Sequence, residues 1–325
     1  MPSGNILIPN IGRKISALLR RLKLEPEDQP RKFLARVGTN KHRYFTAAQT
    51  ADGNTVAFYA RLHANPDAQR KFLTEIAVLQ RLNRLPYNFA RTAPRLFESK
   101  RAADFEWFTR ELVGGQPLGH SRQLGTRLPS GVITQLAQTI AGIGQFPPAR
   151  LRIRLTAFNP DNYRIDRQCF GLAQQRTLPA TTCHGIAQLV ASRRAQLEAE
   201  NRYLSHGDLN LGNIIVDRGH VRIVDWELTQ RNNLAYDVGY LWVHLWQAPR
   251  VFRQQLLRTY LRLLPPNQRR MFRRLLPVVV AYLAVGGVPY REHRREPSAV
   301  LRRRQHYHVQ LLQNCLKGFN RLINT

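Results

Sequence analysis

The segment YLSHGDLNLGNIIVDRGHVRIVDWE, residues 203–227, constrains the fold more than any other part of the 325-residue chain. It places His206, Asp208 and Asn213 in the order His-x-Asp-x-x-x-x-Asn, followed by two β-rich pieces, NIIVD and HVRIVDW, joined at Arg218 and Gly219. A strand, a turn and a second strand ending in Asp225 form a hairpin that returns this carboxylate toward the loop. The His, Asp and Asn spacing alone arises by chance in roughly one chain in a hundred of this length. The hairpin and its terminal acid make the combination much more specific. The plainer alternative is a polar loop whose His206 and Asp208 bond only to backbone.

Phosphoryl transfer needs such a set. One carboxylate orients the attacking hydroxyl and accepts its proton, while an amide and a second carboxylate hold Mg2+ against the nucleotide phosphates. Magnesium takes oxygen donors, and two protein ligands completed by phosphate and water suit it.

The surrounding pattern predicts an α+β chain. Residues 14–24, KISALLRRLKL, carry Ile15, Leu18, Leu19 and Leu22 at helical spacing with basic residues opposite, which predicts a short amphipathic helix. Packing against the body of the protein and lying on an anionic membrane are its two uses. EPEDQP, residues 25–30, breaks that helix and places the start of the domain proper near Arg31. Strand-like runs then follow at 33–39, 43–50 and 55–63, with Asp52 and Gly53 marking a hairpin. A helix over 66–82 and strands at 94–99 and 105–113 complete a small lobe. Beyond Gly114, Gly115 and Pro117 the chain turns mainly helical, with helices expected at 130–146, 184–200, 250–264, 267–285 and 297–323. Residues 150–181 resist assignment.

The expected organisation is a basic N-terminal extension at 1–30, a small nucleotide-binding lobe at 31–113 and a helical lobe at 114–325 carrying the catalytic loop and acceptor site. The apolar run LLPVVVAYLAVGGV, residues 275–288, is too short to span a bilayer and contains Pro277, so it reads as a buried helix. The first residues lack the unbroken apolar stretch of a secretory signal. Cys169, Cys183 and Cys315 form no Cys-x-x-Cys pair and read as reduced core thiols of a cytoplasmic protein.

At these motifs the chain resembles the aminoglycoside phosphotransferase and choline kinase family, whose fold is bilobal and protein-kinase-like. HGDLNLGNIIV resembles the family's catalytic loop, IVDWE its metal-binding segment, and LAYDVGYLW the following segment with its buried acid. The resemblance implies that Asp208 is the catalytic base, that Asn213 and Asp225 bind Mg2+, that His206 braces the loop and that Asp237 anchors it. The role of Glu227, near metal or acceptor or simply bracing, stays open. In the family a lysine on the third strand holds the nucleotide phosphates and pairs with an acid on the next helix. Here TVAFYARLH puts Arg61 at that place, with Glu75 as the implied partner. Arginine is longer and planar, so the exchange is not conservative. A surface-facing Arg61 is the alternative. The loop RVGTNKHRYF is similar to the family's nucleotide-covering loop, with Gly38 against phosphate and Lys41 or Arg43 adding charge. The hinge ELVGG implies that the backbone of Glu111 and Val113 meets the adenine edge.

Charge bears on the acceptor. The chain has 50 Lys and Arg against 21 Asp and Glu, a formal net charge of +29. That field suits polyanions without choosing among nucleic acid, anionic lipid and phosphorylated substrates. From 241 to 325 there are 16 Lys or Arg and two acids, Glu292 and Glu296. An aminoglycoside would be expected to meet clustered carboxylates there, so the expected acceptor is neutral or anionic: a sugar, a phosphorylated sugar or a glycolipid. Trp226, Tyr240, Trp242 and Trp246 could instead cage a choline-like cation, although helical spacing also suits Trp242 and Trp246 to the core.

Two functions therefore follow. The first is a Mg2+-dependent phosphotransferase moving the γ-phosphoryl of ATP or GTP to a hydroxyl. The second is a kinase-like protein of weakened catalysis that docks nucleic acid or the inner face of an anionic membrane. RRRQHYH, residues 302–308, permits nucleic-acid contact without forming a known motif.

Overall fold

The computed structural model describes residues 5–6, 11–27, 35–36, 43–62, 66–102, 105–120, 123–124, 130–288 and 298–324. The chain divides into two compact units, one of Met1–Gly114 with Arg222–Leu228, the other of Gly115–Val221 with Thr229–Thr325. The predicted α+β character is met by an antiparallel sheet in the first unit and a mainly helical second unit.

In the first unit, helix α1 (Ile11–Arg21) precedes strands β1 (Glu25–Pro26), β2 (Arg43–Gln49) and β3 (Thr55–Leu62). Helix α2 (Pro66–Leu82) and strands β4 (Leu96–Arg101) and β5 (Phe105–Glu111) follow. The sheet runs in the order β1-β2-β3-β5-β4. The β2–β3 turn falls at Asp52 and Gly53 as the sequence predicts, with Gly53 at φ +76°. That left-handed backbone strains a residue bearing a Cβ.

Side chains on a strand alternate between faces, and this sheet is covered on both. Val56, Phe58 and Ala60 join Ile15, Leu18, Leu19, Phe105 and Trp107 in one apolar cluster. Tyr59 packs with Phe72, Ile76 and Phe108 in another, which brings this face against α2. Helix α1 is thus built into the core of the small unit. Residues 11–24 of the extension expected to precede the domain belong to its core, because burying Ile15, Leu18 and Leu19 removes apolar surface from water at about 25 cal/mol per Å2.

The second unit contains helices α3 (Ser130–Gln145), α4 (Ile165–Gln174) and α5 (Ala180–Ala199). Segment 150–181, which the sequence left unassigned, holds α4 and 3-10 turns at Pro148–Leu151 and Pro160–Tyr163. Short strands β6 (Gln116–Pro117), β7 (Tyr203–Ser205), β8 (Ile214–Asp217), β9 (His220–Ile223) and β10 (Gln230–Asn232) frame the motif segment. Strand β7 pairs antiparallel with β10 and β6 with β8. The β8–β9 turn has φ +48° at Arg218 and +81° at Gly219, both left-handed as a two-residue hairpin turn requires.

Helices α6 (Tyr236–His244), α7 (Arg250–Leu263), α8 (Pro266–Gly287), α9 (Ser298–Leu316) and α10 (Phe319–Leu322) close the chain. The last predicted helix is broken at Gly318, φ +86°. Helix α8 runs through Pro277, and Leu275–Val285 lie in the core. Among the described residues no helix is long and apolar enough to cross a membrane. The three cysteines are buried free thiols.

Candidate active site

The loop after β7 is organised around one buried carboxylate. Asp237, on the first turn of α6, accepts from Ser205 Oγ (2.8 Å), the His206 amide (2.9 Å) and the Gly207 amide (3.2 Å). Burial raises its carboxyl above the usual range, against the pull of neighbouring His206 and of these donors. Gly207 has φ +85°, so the chain reverses there with no Cβ in the way. The His206 side chain is fully buried, and its Nδ1 accepts the Asp208 amide at 3.3 Å.

Asp208 itself is half-buried, with its carboxylate held from two sides. Tyr240 donates its hydroxyl to Oδ1 at 2.6 Å, and Asn213 Nδ2 donates to Oδ2 at 3.1 Å. Asn213 Nδ2 also donates to the Asp208 carbonyl at 2.8 Å, which fixes the amide and leaves Oδ1 as its remaining donor atom for a cation. An ionised carboxylate has about four lone-pair sites, so Asp208 keeps capacity for a further hydroxyl.

A second group lies in the first unit. Arg61 is on the α2-facing side of β3, the side of Tyr59, and is 1% exposed, which overturns the surface-facing alternative. Its Nη1 lies 3.7 Å from Glu227 Oε2, and its guanidinium carbon lies 5.8 Å from the centre of the Phe72 ring. Glu75, the partner that the resemblance implied for Arg61, meets Arg110 Nε at 4.0 Å. Glu75, Asp225 and Glu227 each bring a carboxylate oxygen within 4.8 Å of the others. Three such charges repel unless cations intervene, and Arg61 stands at Glu227 and Arg110 at Glu75. Asp225 has φ +66°, a conformation that aspartate tolerates better than most residues and that recurs at functional sites.

At the predicted hinge, Glu111 does more than offer backbone. Its carboxylate takes two hydrogen bonds from Arg222, at 2.8 and 2.6 Å, and one from the Arg95 amide at 3.1 Å. Partial burial pushes this carboxyl up, but the hydrogen bonds from Arg222 and Arg95 outweigh it and hold the carboxyl below its ordinary value. The Glu111 amide donates to the Arg95 carbonyl and its own carbonyl accepts from Arg110, so its backbone is already engaged. The Val113 amide makes no backbone hydrogen bond among the described residues. Gly115 has φ +92°, and a Cβ there would overlap the Val216 carbonyl.

Gly38 and Lys41 lie outside the described residues, as does the Arg43 side chain. Of the two readings of the aromatic residues, the core holds for Trp242: it and Trp226 are fully buried, and Trp226 Nε1 donates to the Ile223 carbonyl at 2.9 Å. Tyr240 holds Asp208 instead. The signal for that role was its position three residues after Asp237, which places both on one helical face. The Arg222 clasp on Glu111 and the meeting of Glu75 with Glu227 had no local signal, because each joins residues distant in the chain.

A sequence profile of the phosphotransferase enzyme family matches residues 10–273. No curated protein gave a match. Among solved structures, an amicoumacin kinase in complex with AMP-PNP and Ca2+ superposes with a TM-score of 0.56 at 11% identity, covering 94% of this chain and 93% of that one. The GDP complex of wild-type aminoglycoside 2'-phosphotransferase-IIIa gives 0.53 at 15% identity, covering 94% and 98%. Choline kinase from Cryptosporidium parvum Iowa II gives 0.53 at 10% identity, covering 96% of each chain. At these identities the likeness establishes a common kinase-like fold. The profile match across most of its length, with the fold it shares with these kinases, shows that the chain belongs to the phosphotransferase enzyme family.

Proposed function

We propose that the protein transfers the γ-phosphoryl group of ATP or GTP to a hydroxyl of a small-molecule acceptor, with Asp208 as the base. The observation that carries this is the Asp208 carboxylate, fixed through Tyr240 and Asn213 yet half-buried and able to accept another hydrogen bond. In the step, the acceptor oxygen forms a bond to the γ-phosphorus and the bond from that phosphorus to the bridging oxygen breaks. The hydroxyl proton passes to Asp208, and the nucleoside diphosphate leaves. His206 and Asp237 hold the loop so that Asp208 loses little freedom when substrate arrives.

The donor chemistry fits Mg2+: the carboxylates of Asp225 and Glu227 and the amide oxygen of Asn213 are hard oxygen donors. By the family resemblance Asn213 and Asp225 would hold the ion. When bound, the ion would neutralise phosphate charge. Arg61 and Glu75 serve the nucleotide end, with Arg61 offsetting the charge of Glu227, and Val113 offers its amide to the edge of the purine ring.

A second reading is favoured by one observation, the engagement of Arg61 by Glu227. If that pair persists with nucleotide present, phosphate is held less well than by a lysine, and the chain acts as a weakly catalytic protein that binds an anionic partner. Thermal unfolding with and without Mg2+ plus ATP or GTP, beside Asp225→Asn, separates the two. A ligand bound only by the folded state raises the transition. A metal-dependent rise in the wild type that is lost in the variant supports the enzyme. No rise in folded protein favours the second reading.

A further inference from the structure

We propose that the acceptor is a compact hydroxylated anion whose acidic group is held in a pocket walled by Tyr240, His244, Trp246, Arg304 and His308. The proposal rests on the phosphotransferase reading and specifies its acceptor. The pocket lies within the second unit and encloses about 210 Å3. That is below the roughly 300–1,000 Å3 of sites for drug-sized ligands, so it suits a small molecule rather than a multi-ring antibiotic.

Among the described residues, the nine that line it include no acid, whereas Arg304 on α9 is one of them and is 1% exposed. A guanidinium withdrawn from water binds carboxylate or phosphate through charge-assisted, often paired hydrogen bonds. A polycation would bring ammonium groups against it, and the described lining offers no carboxylate to receive them. The histidines add polar edges. His244 Nδ1 lies 2.7 Å from the Tyr240 carbonyl. Because that oxygen can only accept, Nδ1 carries the hydrogen, and in the neutral ring Nε2 is the acceptor edge. His308 is seated against α8 at Gly287, where a Cβ would lie 2.7 Å from His308 Nε2.

Tyr240 ties this pocket to the chemistry. The residue that forms part of its wall donates to Asp208 Oδ1 at 2.6 Å. A molecule anchored at Arg304 is therefore selected by charge beside the residue that positions the base.

Tryptophan fluorescence of the full chain, with Trp246 in the pocket wall, would be titrated with inorganic phosphate, ribose 5-phosphate, gluconate, ribose and kanamycin. The last four would also be assayed as acceptors by nucleoside diphosphate release. Arginine-dependent binding of the anions is expected, and comparing ribose 5-phosphate with gluconate tells a phosphate from a carboxylate. Arg304→Gln should raise the anion Kd roughly 10- to 100-fold, with partial recovery in Arg304→Lys. If Arg304→Gln does not fold, Gly287→Ala displaces the His308 ring without changing charge and should weaken the same ligands. Arginine-dependent binding without turnover or nucleotide-induced stabilisation keeps the pocket and removes the phosphotransferase reading. Phosphorylation of ribose or kanamycin with no anion bound keeps the enzyme and overturns the pocket. Absence of arginine-dependent binding by all three anions at millimolar concentration also overturns it.

Discussion

The loop that carries Asp208 and the acid cluster around Arg61 solve opposite electrostatic problems. Around Asp208, each polar group shown has a neutral partner: Ser205, two backbone amides, Tyr240 and Asn213 all donate to carboxylates. Around Arg61, charges of like sign are crowded, with Glu75, Asp225 and Glu227 close together. The first arrangement is rigid because donors exceed charges. The second is under electrostatic tension that a cation relieves. The contrast suits the proposed roles, since a base must be held still whereas a metal and phosphate site must exchange one set of charges for another.

Removing Asp208 should have the largest effect. Asp208→Ala is expected to lower turnover about 10²–10⁴-fold with an unchanged unfolding transition, because its partners can turn to water. Undiminished turnover in this variant would remove Asp208 as the base.

Arg61→Ala should distinguish the two regions by stability. Deleting the buried cation removes the partner of Glu227 beside two other carboxylates, with an expected loss of about 3 kcal/mol. Millimolar Mg2+ alone should restore more stability to this variant than to the wild type, read in thermal melts. Equal metal responses would mean that the cluster is not a cation site.

Tyr240→Phe should lower turnover about tenfold, as expected for the loss of one hydrogen bond to a charged group. Unchanged turnover would mean that the Tyr240 hydroxyl does not position Asp208.

The smallest effect concerns Glu111. Its folded carboxyl titrates below its ordinary value of 4.5, so the unfolded chain binds the proton first as pH falls. The stabilisation is present above pH 4.5 and is lost as pH falls through the lower folded value. Because the group is partly solvated, Glu111→Gln should cost about 1 kcal/mol or less at neutral pH. The gap in urea midpoint between variant and wild type should narrow below pH 4.5.

How much was legible in the sequence followed from how local each interaction is. The β2–β3 hairpin could be read because Asp52 and Gly53 specify its turn, and α2 because its apolar positions repeat at helical spacing. The reach of α1 into the small-unit core could not, since an amphipathic stripe names a buried face but not what covers it. Strand β3 was harder for a related reason. Both faces are buried, so the alternation that would have told which way Arg61 points is nearly erased. Trp226 and Trp242 were ambiguous because the same aromatic side chains serve a cage or a core, and only burial separates the two.

The sequence by itself determined the spacing of His206, Asp208 and Asn213, the hairpin to Asp225 and the basic character of the last third. Each rests on spacing within a few residues or on composition, which survive without coordinates. Tertiary structure decided that Glu227 and Glu75 meet beside Arg61, that Arg222 clasps Glu111, and that Arg304 lines the same pocket as Tyr240. Those residues lie far apart along the chain, and only packing of the folded backbone brings charges at such separations within a few ångströms of one another.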